Sequence, residues 1–233
     1  MCQDCGCGDA GLVPVEVHER ILAANDRDAA HNRAHFEEHG VLAINLMGSP
    51  GAGKTALLEA LARARPRLRI GAVSGDLATD HDARRLEAAG IRAGSITTGT
   101  ACHLDARMVH HALHHVPLAG LDLFFVENVG NLVCPAIYDL GQAINVVALS
   151  VTEGEDKPLK YPVMFQAAQA VVITKCDLLP HLRLDLARLR EAIGRVMPAP
   201  VILETDAATP GGVEPFARWL DQRAGALRLR TTA

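Results

Sequence analysis

At 233 residues the chain is long enough to bury a substantial core as one domain with a short extension, and its formal charge of -4 gives no electrostatic basis for binding nucleic acid or a membrane surface. Half of it is apolar but only 3% is aromatic, so the core has to be built from Ala, Val, Leu and Ile. No apolar run reaches the roughly 18 residues of a spanning helix and no basic, apolar leader opens the chain, so a cytoplasmic protein is expected; there, six cysteines point to metal or redox chemistry instead of disulfides.

Met1 to Ala10 is too polar and glycine-rich to pack by itself. It carries Cys2-x-x-Cys5-x-Cys7, three thiols that Gly6 and Gly8 allow to wrap around one ion. Thiolates favour soft or borderline metals such as Zn²⁺, Ni²⁺ and Cu⁺. The motif lacks a fourth ligand, which the terminal amine, a backbone amide, a histidine or another molecule would supply. A polar helix is expected from Val15 to Glu38, anchored by Ile21, Leu22 and Phe36. These pieces make residues 1–38 a cysteine tail with a lead-in helix, residues 39–225 the main domain, and residues 226–233 a C-terminal tail.

The main domain opens with an apolar strand, Val41 to Met47, that runs straight into Gly48-Ser49-Pro50-Gly51-Ala52-Gly53-Lys54-Thr55. This G-x-x-x-x-G-K-[ST] loop is followed by a helix, Thr55 to Ala64, the context that gives the pattern its mechanism. Gly48, Gly51 and Gly53, with Ser49 and Ala52 between them, let backbone N–H groups turn towards a phosphate. Lys54 reaches the terminal phosphates, and the Thr55 hydroxyl is placed to ligate Mg²⁺.

Further strands are expected at Ile70–Ser74, Leu121–Val126, Ile144–Val151, Ala170–Thr174 and Val201–Leu203. Helices are expected at Asp80–Ala89, His103–Val116, Leu184–Met197 and Val213–Leu220. Nearly continuous apolar strands alternating with helices predict an α/β fold with a mostly parallel sheet covered on both faces. Asp76 and Glu127 fall just past two of these strands, where carboxylates can hold Mg²⁺ or orient its water. Lys54, Asp76 and Glu127 are therefore the candidate catalytic groups, with Thr55, Asp76 and Glu127 as the Mg²⁺ ligands. Asp80 and Asp82 sit in a segment able to respond to the terminal phosphate.

Thr174-Lys175-Cys176-Asp177 ends another strand. A carboxylate at Asp177 can accept from both N1–H and the exocyclic amine of guanine, and the stem of Lys175 can lie against the base. The usual pattern here is Asn-Lys-x-Asp, and Thr174 replaces an amide that would support loop and base. Cys102-His103 and the distant Cys134 are potential soft-metal donors, closing a site within one subunit if two loops meet, or across a symmetric dimer; isolated cysteines are the plain alternative. His110, His111, His114 and His115 contain i, i+4 pairs that can hold a metal or simply face solvent.

With these pieces in place, the chain resembles the HypB family of hydrogenase nickel-incorporation GTPases across essentially its whole length. The resemblance rests on C-x-x-C-G-C, the loop Gly48–Thr55, Gly75-Asp76-Leu77-Ala78-Thr79-Asp80, Thr100-Ala101-Cys102-His103-Leu104, and above all Glu127-Asn128-Val129-Gly130-Asn131-Leu132-Val133-Cys134-Pro135. It implies a P-loop NTPase of the SIMIBI-like G-domain kind that binds GTP and Mg²⁺. It also implies a high-affinity nickel site at Cys2, Cys5 and Cys7, and a weaker nickel or zinc site at Cys102, His103 and Cys134 on a dimer interface. The implied partners are a second copy of the chain in the GTP state, a small zinc-containing accessory protein and the hydrogenase large-subunit precursor; neither nucleic acid nor membrane is expected. Histidines His18, His31, His35 and His39 are scattered rather than gathered in a tract, so bulk nickel storage is not expected. The competing readings are a urease-type nickel GTPase, which C-x-x-C-G-C and E-N-V-G-N disfavour, a P-loop kinase acting on a small metabolite, and a metal buffer with a vestigial nucleotide site.

Overall fold

The computed structural model describes residues 15–76, 79–99 and 101–231, with backbone only at 15–21 and 228–231. In chain order its first half comprises α1 (Val15–Glu38), β1 (Leu42–Met47), α2 (Lys54–Ala64), β2 (Ile70–Asp76), α3 (His81–Ala88), β3 (Arg92–Thr97), α4 (Ala106–Leu113) and β4 (Leu123–Glu127). The second half comprises β5 (Ile144–Ser150), α5 (Lys157–Lys160), α6 (Pro162–Gln166), β6 (Ala170–Thr174), α7 (Leu186–Val196), β7 (Ile202–Glu204) and α8 (Glu214–Thr231).

The strands form one sheet in the order β3-β2-β4-β1-β5-β6-β7. Every pairing in it is parallel. Parallel strands need helical crossovers, which cover both faces, and the side chains of β1 divide accordingly. Leu42, Ile44 and Leu46 pack with Leu57, Leu58, Leu61, Phe216 and Leu220 beneath α2 and α8. Val41 and Ala43 point the other way, into a cluster with Phe36, Val109, Leu113 and Phe124 beneath α1 and α4. A third cluster joins Met47, Val147 and Ile173 to Phe165, Leu189 and Ile193 on α6 and α7. Each fully buried large side chain contributes about 1.5–3 kcal/mol, which is how a core with so few aromatics holds the sheet rigid.

Four local expectations are revised. β3 was not anticipated, because an edge strand bonded only to β2 needs no apolar run, and Arg92-Ala-Gly-Ser-Ile-Thr97 is partly exposed. α4 starts at Ala106, not His103, because the Asp105 side chain accepts the Met108 N–H and caps the helix. His103 is thereby left in the loop before it. α5 and α6 are too short to show a helical period. α8 continues to Thr231, past the expected helix end at Leu220.

Candidate functional site

The glycine loop joins β1 to α2 at the carboxyl edge of the sheet. Gly53 precedes the first residue of α2 with φ 85°, a left-handed conformation that admits glycine readily. The free N–H groups of the first turn then face a cavity of about 370 Å³. Lys54, Thr55, Asp76, Asp82, Arg85 and Glu127 are among its lining residues, so the loop, the ends of β2 and β4, and the start of α3 meet here.

Lys54 is buried, and its Nζ donates to the carbonyls of Gly48 at 3.3 Å and Ser49 at 3.2 Å. Burial lowers its pKa, with Glu127, Asp82 and Glu153 opposing the shift. The Thr55 hydroxyl donates to Glu127 Oε1 at 2.6 Å. Burial raises the Glu127 pKa to about 7, against the hydrogen bond from Thr55 and the charge of Lys54. Its other oxygen, Oε2, is buried with no hydrogen-bond partner among the described residues. An orphaned carboxylate oxygen beside a threonine hydroxyl is a poor structural element but a fitting donor pair for a hard divalent cation. Asp76 lines the same space and accepts a hydrogen bond from the Thr79 hydroxyl at 2.8 Å. Arg85 is held by Glu59 through bonds of 3.0 and 2.9 Å and by Asp82 at 3.4 Å.

Neither Lys175 nor Asp177 is among the residues lining this cavity. Lys175 adopts φ 59° and donates through Nζ to the Gly51 carbonyl at 2.7 Å. Thr174, the departure from the usual pattern, is buried and donates its hydroxyl to the Ala52 carbonyl at 2.6 Å. A hydroxyl on the strand end thus supports the phosphate loop that an amide was expected to support. Asp206, unflagged by the sequence, accepts the Ala208 N–H at 2.7 Å and the Thr209 N–H at 3.2 Å in the loop after β7. We expect Thr174→Ala to weaken nucleotide binding by about 1–2 kcal/mol, roughly 5–30-fold, by stranding the Ala52 carbonyl. Thr174→Ser should restore it; equal affinities for all three chains, read by calorimetry, would rule the contact out as a support.

Cys102, His103 and Cys134 converge: one donor atom from each lies within 4.8 Å of the others. Cys102 Sγ is 3.2 Å from Cys134 Sγ and 3.8 Å from His103 Nδ1. The three donors meet within one subunit. Burial lowers the His103 pKa, favouring the neutral ring that ligates metals. Burial raises that of Cys134, with the neighbouring Cys102 thiol adding to it. Thiols ligate a metal as thiolates, so metal binding here would release protons. Tyr138, missed in the sequence, stacks on His103 at 3.9 Å between ring centroids. Cys2, Cys5 and Cys7 lie outside the described residues.

The nucleotide cavity and the thiol cluster share one loop. After Glu127, a Cβ on Gly130 would meet Pro50 atoms at 2.7–2.9 Å, so only glycine allows this approach to the phosphate loop. Asn131 then bridges to Gly48, donates its amide to the Cys102 carbonyl at 3.1 Å, and accepts the Val133 N–H at 2.9 Å. Beneath, the buried Asn128 amide donates to Asn45 Oδ1 at 3.0 Å, and its oxygen accepts the Leu104 N–H at 3.4 Å. Asn45 donates in turn to the Pro135 carbonyl at 3.4 Å. Polar side chains thereby tie the backbone beside His103 and Cys134 to the central strand.

A phosphate loop at the edge of a parallel sheet, with an acidic pocket beside it, defines a P-loop NTPase, here carrying a cluster of soft-metal donor side chains. Residues 42–203 match the family model described as CobW/HypB/UreG, nucleotide-binding domain. The hydrogenase maturation factor HypB of Cupriavidus necator is 44% identical, the match spanning 88% of this chain and 68% of that protein. The crystal structure of HypB from Helicobacter pylori in complex with nickel superposes with a TM-score of 0.83 at 40% identity, covering 87% of this chain and 96% of that one. That of the hydrogenase maturation factor HypB from Archaeoglobus fulgidus gives 0.79 at 39% identity, covering 88% and 100%. The chain belongs to the CobW/HypB/UreG family and, within it, to the HypB hydrogenase maturation factors.

Proposed function

We propose that this chain is a GTP-hydrolysing nickel carrier of [NiFe]-hydrogenase maturation, in which the nucleotide state controls the metal held by Cys102, His103 and Cys134. The observation that carries the reading is the path Glu127–Gly130–Asn131: it leaves the cation pocket, presses on Pro50, bridges to Gly48 and holds the Cys102 carbonyl. Asp177 accepts from guanine, Lys175 packs along the base, and Lys54 leaves the Gly48 and Ser49 carbonyls for the terminal phosphates. Thr55, Glu127 and Asp76 hold Mg²⁺, which when bound neutralises charge on the transferred phosphoryl group. Loss of that group relaxes the contacts at Pro50 and Gly48 and so moves the Cys102 backbone. Nickel is the cargo, and zinc competes for the same donors. The reading extends to a homodimer formed in the GTP state, delivery to the hydrogenase large-subunit precursor, and cooperation with a small zinc-containing accessory protein. Cys2, Cys5 and Cys7 form a separate nickel site on the N-terminal segment. In support, the relatives are hydrogenase maturation factors, and the H. pylori relative was crystallised with nickel.

The test is a nickel titration with GDP and with a non-hydrolysable GTP analogue, following mass in solution. A coupling of about 1–3 kcal/mol gives a roughly 5–150-fold difference in Ni²⁺ affinity at the Cys102 cluster, with reciprocal tightening of one nucleotide. Equal affinities in the two states would sink the coupling, and a chain that binds nickel but never releases phosphate would sink the GTPase.

A further inference from the structure

Where α1 packs on α4, histidines gather outside the site described above. His31, His35 and His39 recur every fourth residue and so share one face of α1 and the turn that ends it, over about 12 Å. The His31 ring lies 4.8 Å from His110, His110 lies 5.2 Å from His114, and His35 lies 4.8 Å from His39. Among the described residues, His35, Glu38 and His39 form a second group, besides the cysteine cluster, whose donor atoms all lie within 4.8 Å of one another.

Hydrogen bonding decides which ring nitrogens stay open. His39 Nδ1 is 2.9 Å from the His35 carbonyl, which can only accept, so Nδ1 carries the proton and Nε2 keeps its lone pair. One turn earlier, the buried Asn32 amide donates to the Ala106 and Leu140 carbonyls, leaving its oxygen to accept from His110 Nδ1 at 3.2 Å. His110 Nε2 is thus open as well. A ring oriented by its second nitrogen is the usual condition of a metal-ligating histidine. Glu38 adds a carboxylate 3.7 Å from His35 Nδ1.

We propose that His35, Glu38 and His39 bind one borderline divalent cation of the Ni²⁺ or Zn²⁺ class at the C-terminal turn of α1, separate from every cysteine. Two imidazoles and one carboxylate match that class and leave a further position open. Glu38 and His39 are exposed and His35 is partly so, and their side chains close on the ion by rotation without disturbing the core. His31, His110 and His114 continue the row of imidazoles along the α1–α4 seam.

The experiment uses the full chain with Cys2, Cys5, Cys7, Cys102 and Cys134 replaced by serine. Calorimetric titration with Ni²⁺, and separately with Zn²⁺, should detect one bound equivalent. Adding His35→Ala and His39→Ala should weaken it by at least the roughly 10–100-fold that follows loss of a supporting partner. Nucleotide binding should be the same in both chains, which reports that each is folded. In the His-intact chain, Ni²⁺ should broaden NMR signals of the last turn of α1 ahead of those around His110. Two results overturn the site: no bound equivalent in the chain carrying the five serines, or one that persists after both histidines are removed.

Discussion

Lys54→Ala lowers nucleotide turnover at saturating substrate by about 10²–10³-fold, the size of effect expected when one preorganised charge on the transferred group is removed. In this structure the ammonium is buried and spends its hydrogen bonds on the Gly48 and Ser49 carbonyls. Burial disfavours its charged form, so the lysine is held in place against its own desolvation. Deleting it should leave the thermal midpoint unchanged or raised, while phosphate release collapses. Steady-state phosphate release and a melting curve on the same preparation check both halves. Undiminished turnover in the variant would remove Lys54 from the catalytic groups and reopen the reading of a metal buffer with a vestigial nucleotide site.

Glu127→Gln is the second large effect and has the same signature by a different route. The amide keeps the shape and can still accept the Thr55 hydroxyl, but it cannot offer an anionic oxygen to a divalent cation. Mg²⁺-dependent turnover should drop by about 10²-fold or more. Stability without Mg²⁺ at pH 8 should be unchanged or higher, because a neutral amide costs less to bury than a carboxylate. The sign follows from the raised pKa of about 7. Between the unfolded value and pH 7 the folded chain binds the extra proton, so this group's contribution falls as pH rises through that window. The unsubstituted chain should therefore lose stability relative to the variant from about pH 5 to 8 in the absence of Mg²⁺. Parallel pH profiles of the two chains would show that Glu127 is not desolvated as described.

The candidate site residues are legible where a motif fixes spacing along the chain. Gly48 to Thr55 is contiguous, so one strand, one loop and one helix are enough to predict what its backbone does. Asp76 and Glu127 were found by a rule about where parallel strands end. The supports were harder to see. In the sequence Thr174 reads as a lost amide, but its hydroxyl reaches a carbonyl 122 positions away. Asn45 reads as one polar residue in an apolar strand, and its part in seating the loops at Leu104 and Pro135 depends on contacts across the sheet. β3 carries no apolar run, since an edge strand buries little.

From the sequence alone follow the phosphate loop with its strand and helix, the parallel α/β architecture, and the donor types at Cys102, His103 and Cys134. All of these rest on periodicity or on side-chain chemistry, which are local properties. Only the tertiary structure decided that those three donors meet within one subunit, that Gly130 and Asn131 join them to Pro50 and Gly48, and that the histidines of α1 and α4 share a seam. Those facts depend on strand order, and strand order is set by which faces must bury one another, a property of the packed chain as a whole.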